Sequence, residues 1–484
     1  MEATELPRVK KLGVYLLGLM LSCNVLACTE LRIPAESDSV QANGPLQVDA
    51  VNPRYFSDGS GRVVYLVGSH TWRNLQDVVS EKSRLPFDYS EYLRFLTRYH
   101  LNFFRLWRQE DALFEPLPYL RTGPGVALDG GPKFDVNRIN PLFFERLSAR
   151  VEEAGRHGIY VAVMLFQGWG IERKTPERLE NPWEFHPFHH SNNVNGVDGD
   201  RDGDGEGSET HSLTDAAMVA RQDDFVRQVV DAVNPFDNVL YEIANESTPG
   251  SIAWQEHLVA LIHDYEKTKP KQHPVLLSAP WGSKEADLWK SRAEAVSPAV
   301  PAPYTPEYAY RDDPPANDGR KVIINDTDHL WGVGGTSDWV WKSFTRGLNP
   351  IYMDPYDPAT DAEYFELVRD SREGVLLSLG QTKRYADRIP LRTMVPQSHL
   401  CSSRYCLADP GRAYLVYAPS NGAAGGAESI ELDLQQHSGS FTVEWLNPRQ
   451  DQTHLEPTRR LSGRTRFVAP FVGDAVLYLR ASQP

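Results

Sequence analysis

Residues 239–246 read Val-Leu-Tyr-Glu-Ile-Ala-Asn-Glu. An apolar run with strand character ends on Asn245 and Glu246, and strand alternation places Leu240, Glu242, Ala244 and Glu246 on one face. Val239, Leu240 and Ile243 argue that this strand is buried. Two carboxylates along a buried strand are costly unless each has a partner or a task. In a chain that alternates strands and helices, the C-terminal end of a strand is where a barrel keeps its reactive groups.

The neighbouring sequence supplies that alternation. Short apolar runs stand at Val63–His70, Asn102–Trp107, Ile159–Leu165, Val275–Pro280, Ala295–Ala302, Val322–Asp326 and Pro350–Asp354. Amphipathic stretches such as Tyr89–Tyr99, Pro141–His157, Thr214–Val233 and Trp254–Lys267 lie between them. Counted with the 239–246 run, eight strands alternating with helices predict an α/β fold, a (β/α)8 TIM barrel over residues 45–385. A doubly wound open sheet is the competing arrangement. No Gly-rich phosphate fingerprint follows any strand, which removes the nucleotide-binding reason for it. Residues 386–484 change character: Tyr414–Tyr417, Ser429–Leu434, Phe441–Leu446 and Ala475–Leu479 alternate between Gly, Pro, Asn and Ser turns, the pattern of a small C-terminal β-sandwich.

The 484 residues suffice for one large domain and one small one. A net charge of −15 argues against nucleic acid and anionic membrane surfaces as partners. At the N-terminus, Arg8, Lys10 and Lys11 precede the apolar run Leu12–Leu21, which is too short to span a bilayer and reads as an export signal over residues 1–28. Leu21-Ser22-Cys23 and Leu26-Ala27-Cys28 each resemble a bacterial lipobox, and Ala27 also suits ordinary signal cleavage. The expectation is a periplasmic, cell-surface or secreted protein, attached to membrane only through an N-terminal lipid. Cys401 and Cys406 are the two remaining cysteines, and export suits a local disulfide between them.

Four groups of residues carry chemistry. Arg105 sits inside the apolar strand Asn-Phe-Phe-Arg-Leu-Trp and needs a buried carboxylate; Glu242, across the barrel mouth, is the natural partner. The seventh strand ends in Val-Ile-Ile-Asn-Asp-Thr-Asp-His, so Asp326 or Asp328 can face Glu246 across the barrel, and alternation does not choose between them. Two carboxyls flanking a scissile bond are what glycoside hydrolysis requires: one protonates the leaving oxygen, the other attacks the anomeric carbon or activates water. At the strand ends, His70, Trp72, Gln167, Trp169, Trp281, His329 and Trp331, together with Arg105, are candidate sugar contacts, the tryptophans as stacking platforms. No cofactor is expected for catalysis.

A long loop follows strand three, from Gly168 to about Leu213. Within it, Asp198, Asp200, Asp202, Gly203, Asp204 and Glu209 match the twelve-position calcium loop at its defining positions. The flanking helices of an EF-hand are missing, so a structural calcium ion would sit in a stand-alone loop. The competing reading is a solvated acidic loop. His186, His189, His190 and His211 lie nearby, but their spacing does not suit zinc.

Taken together, Asn52-Pro-Arg-Tyr-Phe, Gly68-Ser-His-Thr-Trp, Asn102-Phe-Phe-Arg-Leu-Trp, Tyr241–Ser247, Ile324-Asn-Asp-Thr-Asp-His-Leu-Trp and Met353-Asp-Pro-Tyr resemble the clan A glycoside hydrolases. The likeness is greatest to the apiosidase-like and cellulase-like hydrolases whose C-terminal sandwich carries the family label "putative collagen-binding"; that label implies no collagen ligand here. The resemblance implies Glu246 as general acid/base and Asn245 as a ligand of the sugar hydroxyl beside the anomeric carbon. Clan members place a glutamate nucleophile on strand seven, where this chain has Asp326 and Asp328. An aspartate is one methylene shorter, so the carboxyl gap can pass from the roughly 5 Å of retaining enzymes toward the roughly 6.5–9.5 Å of inverting ones. The resemblance implies a carbohydrate substrate. The alternative is a non-catalytic carbohydrate- or matrix-binding surface protein on the same scaffold.

Overall fold

The computed structural model describes residues 41–80, 83–174, 181–280, 285–300, 308–358, 361–420 and 427–482. The expected signal segment and Trp281 lie outside these residues. Eight parallel strands close into a barrel. They are β1 (Gly68–His70), β2 (Phe103–Leu106), β3 (Tyr160–Gln167), β4 (Val239–Asn245), β5 (Val275–Ser278), β6 (Ala295–Ser297), β7 (Val322–Asp326) and β8 (Asn349–Met353). Each of the eight expected runs contributes one strand, so the (β/α)8 reading holds.

Closure depends on a close approach at Gly68, which pairs with Ile351 of β8 on one side and Phe103 of β2 on the other. A Cβ there would lie 1.6 Å from the Phe103 carbonyl oxygen, so only glycine lets the two backbones meet. The lower barrel is filled by Phe103, Tyr160, Ala162, Leu240, Leu276, Val322, Ile324 and Ile351. A three-stranded antiparallel sheet (Gln47–Val48, Phe56–Ser57, Val63–Val64) brings Leu46, Phe56 and Val64 into the same cluster and plugs that end. Going upward, the interior turns polar, with Arg105, Glu242, Ser278 and Asp326 all buried.

Outside the strands, α1 (Tyr89–Arg98), α2 (Pro141–Arg156), α3 (Ala216–Val233), α4 (Ile252–Glu266), α5 (Glu285–Lys290), α6 (Ser337–Thr345) and α7 (Ala362–Arg388) form the outer layer. Asp88, Asn140, Asp215 and Thr336 cap α1, α2, α3 and α6 with side-chain acceptors. Among the described residues, no helix is long and apolar enough to cross a membrane.

The C-terminal region is a single six-stranded antiparallel sheet ordered β9-β10-β11-β14-β12-β13. Its strands are β9 (Val395–Pro396), β10 (Tyr405–Asp409), β11 (Ala413–Ala418), β12 (Ala427–Asn447), β13 (Gln452–Val472) and β14 (Ala475–Ala481). The sandwich-like core arises because the 21-residue hairpin strands β12 and β13 shift register three times along their length. Bulges of this kind bend a strand, and Ile430, Leu432 and Phe467 pack over Tyr414, Val416 and Leu477 of the same sheet. The two segments expected as separate strands at Ser429–Leu434 and Phe441–Leu446 are therefore one strand. Its partner β13 went unseen because most of its side chains are exposed, with Arg, Ser, Thr and Gly between the few buried or half-buried apolar positions Leu461, Phe467, Ala469 and Phe471.

The opposite face of this sheet joins the barrel core: Tyr405, Leu407, Leu415, Tyr417 and Tyr478 pack with Trp341, Phe344, Leu379 and Tyr385 of α6 and α7. The expected disulfide is not formed. Cys401 and Cys406 are buried free thiols, with Cys401 Sγ 3.3 Å from Ser403 Oγ.

Candidate active site

The end of β4 departs from simple alternation. Glu242 points into the barrel, but Ala244 packs in the outer core and Asn245 turns inward. On β3, Phe166 packs outward against Phe225 and Trp254 while Gln167 faces in. Phe166 pairs with Ala244 and Gln167 with Asn245, so both strands change side together and the ladder stays in register. Glu246 then takes φ +40°, a left-handed backbone uncommon outside glycine, at the barrel's C-terminal rim.

Arg105 organises the floor. It is 1% exposed, and its Nε lies 3.1 and 2.9 Å from the two Glu242 oxygens. One terminal nitrogen donates to Glu242 (2.6 Å) and Asn245 Oδ1 (2.5 Å), the other to Asp326 (2.8 Å) and Asp328 (3.0 Å). The expected Arg105–Glu242 pair is present, and Ser278 Oγ donates a further 2.8 Å bond to Glu242. One guanidinium thus serves three carboxylates, which leaves the floor with excess negative charge.

The two strand-seven aspartates differ sharply. Asp326, the last residue of β7, is fully buried. It accepts from Arg105, from the Asp328 backbone N–H (2.9 Å) and from His70 Nε2 (2.9 Å). The Trp107 indole N–H donates to His70 Nδ1 (2.9 Å), so the ring carries its proton on Nε2 and donates it to Asp326. Burial opposes ionisation of Asp326, but the hydrogen bond from His70 and the Arg105 charge outweigh it and hold the carboxyl well below the usual range. Asp328 starts a short helix, Asp328–Trp331, and opens onto the cleft. Burial raises it, Arg105 pulls against that, Asp326 adds repulsion, and it settles at about 6.

Glu246 lines the same cleft. Its carboxylate accepts the Trp169 indole N–H. Burial and then the nearby Asp328 charge push it up to about 8, against the pull of Trp169, Lys174 and Arg105. The two carboxyls are therefore driven apart in proton affinity, Glu246 the higher, which is the pattern that separates an acid from an ionised partner. His329 Nε2 lies 3.0 Å from Asn245 Oδ1, and Ser297 Oγ lies 2.8 Å from His329 Nδ1. Burial and Arg105 press this histidine down to about 3, so it is neutral and donates through Nε2.

The cleft measures about 680 Å³. Of the sequence-derived candidates, Trp72, Gln167, Trp169, Glu246, Asp328, His329 and Trp331 line it. His70, Arg105, Asn245 and Asp326 do not: all four are at most 1% exposed and lie beneath the floor as supports. Several other liners were not among the sequence-derived candidates, the aromatic and exposed apolar ones being Trp107, Phe114, Tyr364 and Leu367. Trp107 was legible only as a strand residue. Tyr364 packs against Trp72 with centroids 5.1 Å apart and planes tilted by 60°, and neighbouring Leu367 is 75% exposed; two apolar residues on the polar first turns of α7 are the signal that could have found them.

The described residues of the loop after β3 pack into a core of their own. Ile171, Trp183, Phe188 and Val197 pack with Tyr119, Phe134 and Val136 of a β-hairpin (Tyr119–Val126, Pro132–Ile139). In the acidic stretch, carboxylate oxygens of Asp200, Asp202 and Glu209 lie within 4.8 Å of one another. Glu209 Oε2 is shielded without a hydrogen-bond partner. Asp198 faces His190 at 3.6 Å, and Asp204 stands outside the cluster. Three of the five expected ligands thus converge, and their hard oxygen donors suit calcium.

A family model described as a domain of unknown function (DUF6298) matches residues 104–297, which hold Arg105, Glu242 and Glu246 but not the strand-seven aspartates. No curated protein matches the chain. Among solved structures, the chain is similar to a glycoside hydrolase at 12% identity and TM-score 0.59, over 91% of this chain and 97% of that one. A family 5 glycoside hydrolase from Bacteroides vulgatus ATCC 8482 shares 13% identity and TM-score 0.57, over 91% and 94%. A putative glycoside hydrolase from the same organism shares 15% identity and TM-score 0.59, over 93% and 84%. At these identities the likeness is one of fold, and it takes in the C-terminal sheet as well as the barrel. None of them supports a collagen ligand.

Proposed function

We propose that this protein hydrolyses an O-glycosidic bond of a poly- or oligosaccharide, with Glu246 as general acid and Asp328 as the second carboxylate. The observation that carries the reading is the pair itself: two carboxyls in one aromatic-walled cleft at the C-terminal mouth of the barrel, with Glu246 held protonated at neutral pH and Asp328 ionised. The Glu246 proton passes to the glycosidic oxygen as the C–O bond breaks and its electron pair leaves with that oxygen. Asp328 either bonds to the anomeric carbon, to be displaced later by water, or takes a proton from a water that attacks in its place. Asp326 supports this chemistry from below: it is enclosed, strongly ionised and committed to Arg105 and His70. Trp72, Trp169 and Trp331 offer ring faces to the sugar, and His329 a neutral imidazole.

Glu246→Gln and Asp328→Asn test the reading. Each should lower kcat on a cleaved polysaccharide or aryl glycoside by about 10²- to 10⁴-fold. Asp326→Asn should instead destabilise the fold. If the parent binds sugar without cleaving it and Glu246→Gln binds equally well, the barrel is a carbohydrate-binding scaffold. NMR of the first-formed anomer distinguishes retention from inversion.

Two further parts of the reading rest on sequence motifs. Residues 1–28 are proposed to direct export with lipidation at Cys23 or Cys28, tested by the mass of the mature N-terminus. Asp200, Asp202 and Glu209 are proposed to hold a structural calcium ion.

A further inference from the structure

Glu246 owes its direction to a backbone conformation that most residues avoid, and something must hold it there. Two contacts grip the peptide that joins it to Ser247. On one side lies Gly168: a Cβ at this position would fall 2.0 Å from the Glu246 carbonyl oxygen and 3.1 Å from Ser247 Cα, so the bare backbone of the β3 loop presses on that peptide. On the other side, Ser247 Oγ lies 2.9 Å from His211 Nδ1, and both residues are buried.

His211 is itself fixed from several directions. Its ring stacks on Trp254 (centroids 4.4 Å apart, planes 13° apart) and meets the Phe166 edge at 5.9 Å. The preceding Thr210 carbonyl accepts from Gln222 Nε2 (2.7 Å), and Gln222 Oε1 accepts from Trp254 Nε1 (2.9 Å). The short helical turn Ser208–His211 is thereby tied to α3 and α4. Neither residue reaches the cleft.

We propose that His211 and Ser247 are positioning residues: their hydrogen bond locks the left-handed backbone of Glu246 and so aims its carboxyl at the cleft and at the Trp169 indole. The role extends the hydrolase reading and depends on it for its effect on rate, but the geometry can be read without turnover. The chemistry predicts a graded series. Ser247→Ala and His211→Phe each delete the bond, and the phenyl ring keeps the stack on Trp254. His211→Asn places an amide nitrogen where Nδ1 stood and restores a partner for Ser247.

The test uses the full chain labelled with ¹⁵N-tryptophan. The Trp169 indole N–H resonance, identified by its loss in Trp169→Phe and its movement in Glu246→Gln, reports the Trp169–Glu246 contact. It should move in Ser247→Ala and His211→Phe, move no further in the double variant, and return toward the parental position in His211→Asn. On any substrate the parent cleaves, kcat should fall ten- to a hundredfold in both single variants, with KM within twofold. A Trp169 resonance unmoved in Ser247→Ala, or a loss confined to KM, overturns the proposal. If the parent cleaves nothing, the hydrolase reading fails alone, and the resonance still decides whether the bond aims Glu246.

Discussion

Arg105 is the residue on which the floor of the cleft depends. Three carboxylates and an amide oxygen converge on one buried guanidinium, so its removal strands several charges in a low-dielectric interior. Breaking a buried ion pair by deleting one partner costs about 3–5 kcal/mol. Arg105→Met should therefore lower the unfolding free energy by at least that range in urea titration, and a change under about 1 kcal/mol would refute the account. The same charge imbalance sets the pH response. If Glu246 is the acid and Asp328 the second carboxylate, as proposed, activity needs Asp328 ionised and Glu246 protonated, so kcat/KM should rise through about pH 6, fall through about pH 8, and peak between. A rate that climbs monotonically past pH 9 would rule out Glu246 as the required acid.

At the level of elements, the instructive pieces are the end of β4 and the folded insert after β3. Alternation along 239–246 points Ala244 and Glu246 the same way, but the side chains at 244 and 245 exchange roles because β3 and β4 switch faces together. The insert has its own apolar cluster around Trp183, against which Gly199 and Gly207 pack so closely that a Cβ on either would fall within 2.6 Å of the indole. This packing holds the acidic stretch in a defined shape. Calcium should stabilise it by mass action, by about 2.7 kcal/mol at a hundredfold excess over Kd. The melting temperature should rise with Ca²⁺, fall with EGTA, and lose its calcium response in Glu209→Gln. A melting temperature indifferent to Ca²⁺ in the parent protein removes the ion from the proposal.

Across the whole molecule, barrel and C-terminal sheet share one core. Trp341 stacks on Tyr417 with centroids 6.1 Å apart, Tyr385 meets Tyr478 edge-on at 6.0 Å, and Gln381 donates to the Pro448 carbonyl (2.8 Å). Tyr385 also donates to Glu444, which pairs with Arg388. A chain ending at Arg388 would expose this apolar face of α6 and α7 to water. It should be recovered aggregated or without the cooperative melting transition of the full chain, as differential scanning calorimetry would show. A truncated chain that melts cooperatively at the parental temperature would mean that the sheet is an independent appendage.

The sequence by itself determined the barrel, because each buried parallel strand must be apolar on both faces and so appears as a run that local composition cannot hide. It also singled out Glu246 at a strand end, Arg105 with its partner Glu242, and the acidic loop, since charges inside apolar runs are costly wherever the chain places them. It could not tell apart the surroundings of Asp326 and Asp328, two residues apart. Only the tertiary structure distinguishes those, by burying Asp326 under His70 and Arg105 and turning the chain into a helix that opens Asp328 to the cleft. Nor could it separate supports from contacts among His70, Arg105 and Asn245, or foresee the bent hairpin of β12 and β13. Those outcomes depend on which residues meet across the barrel and across the sheet, and such long-range contacts leave no periodic trace along the chain.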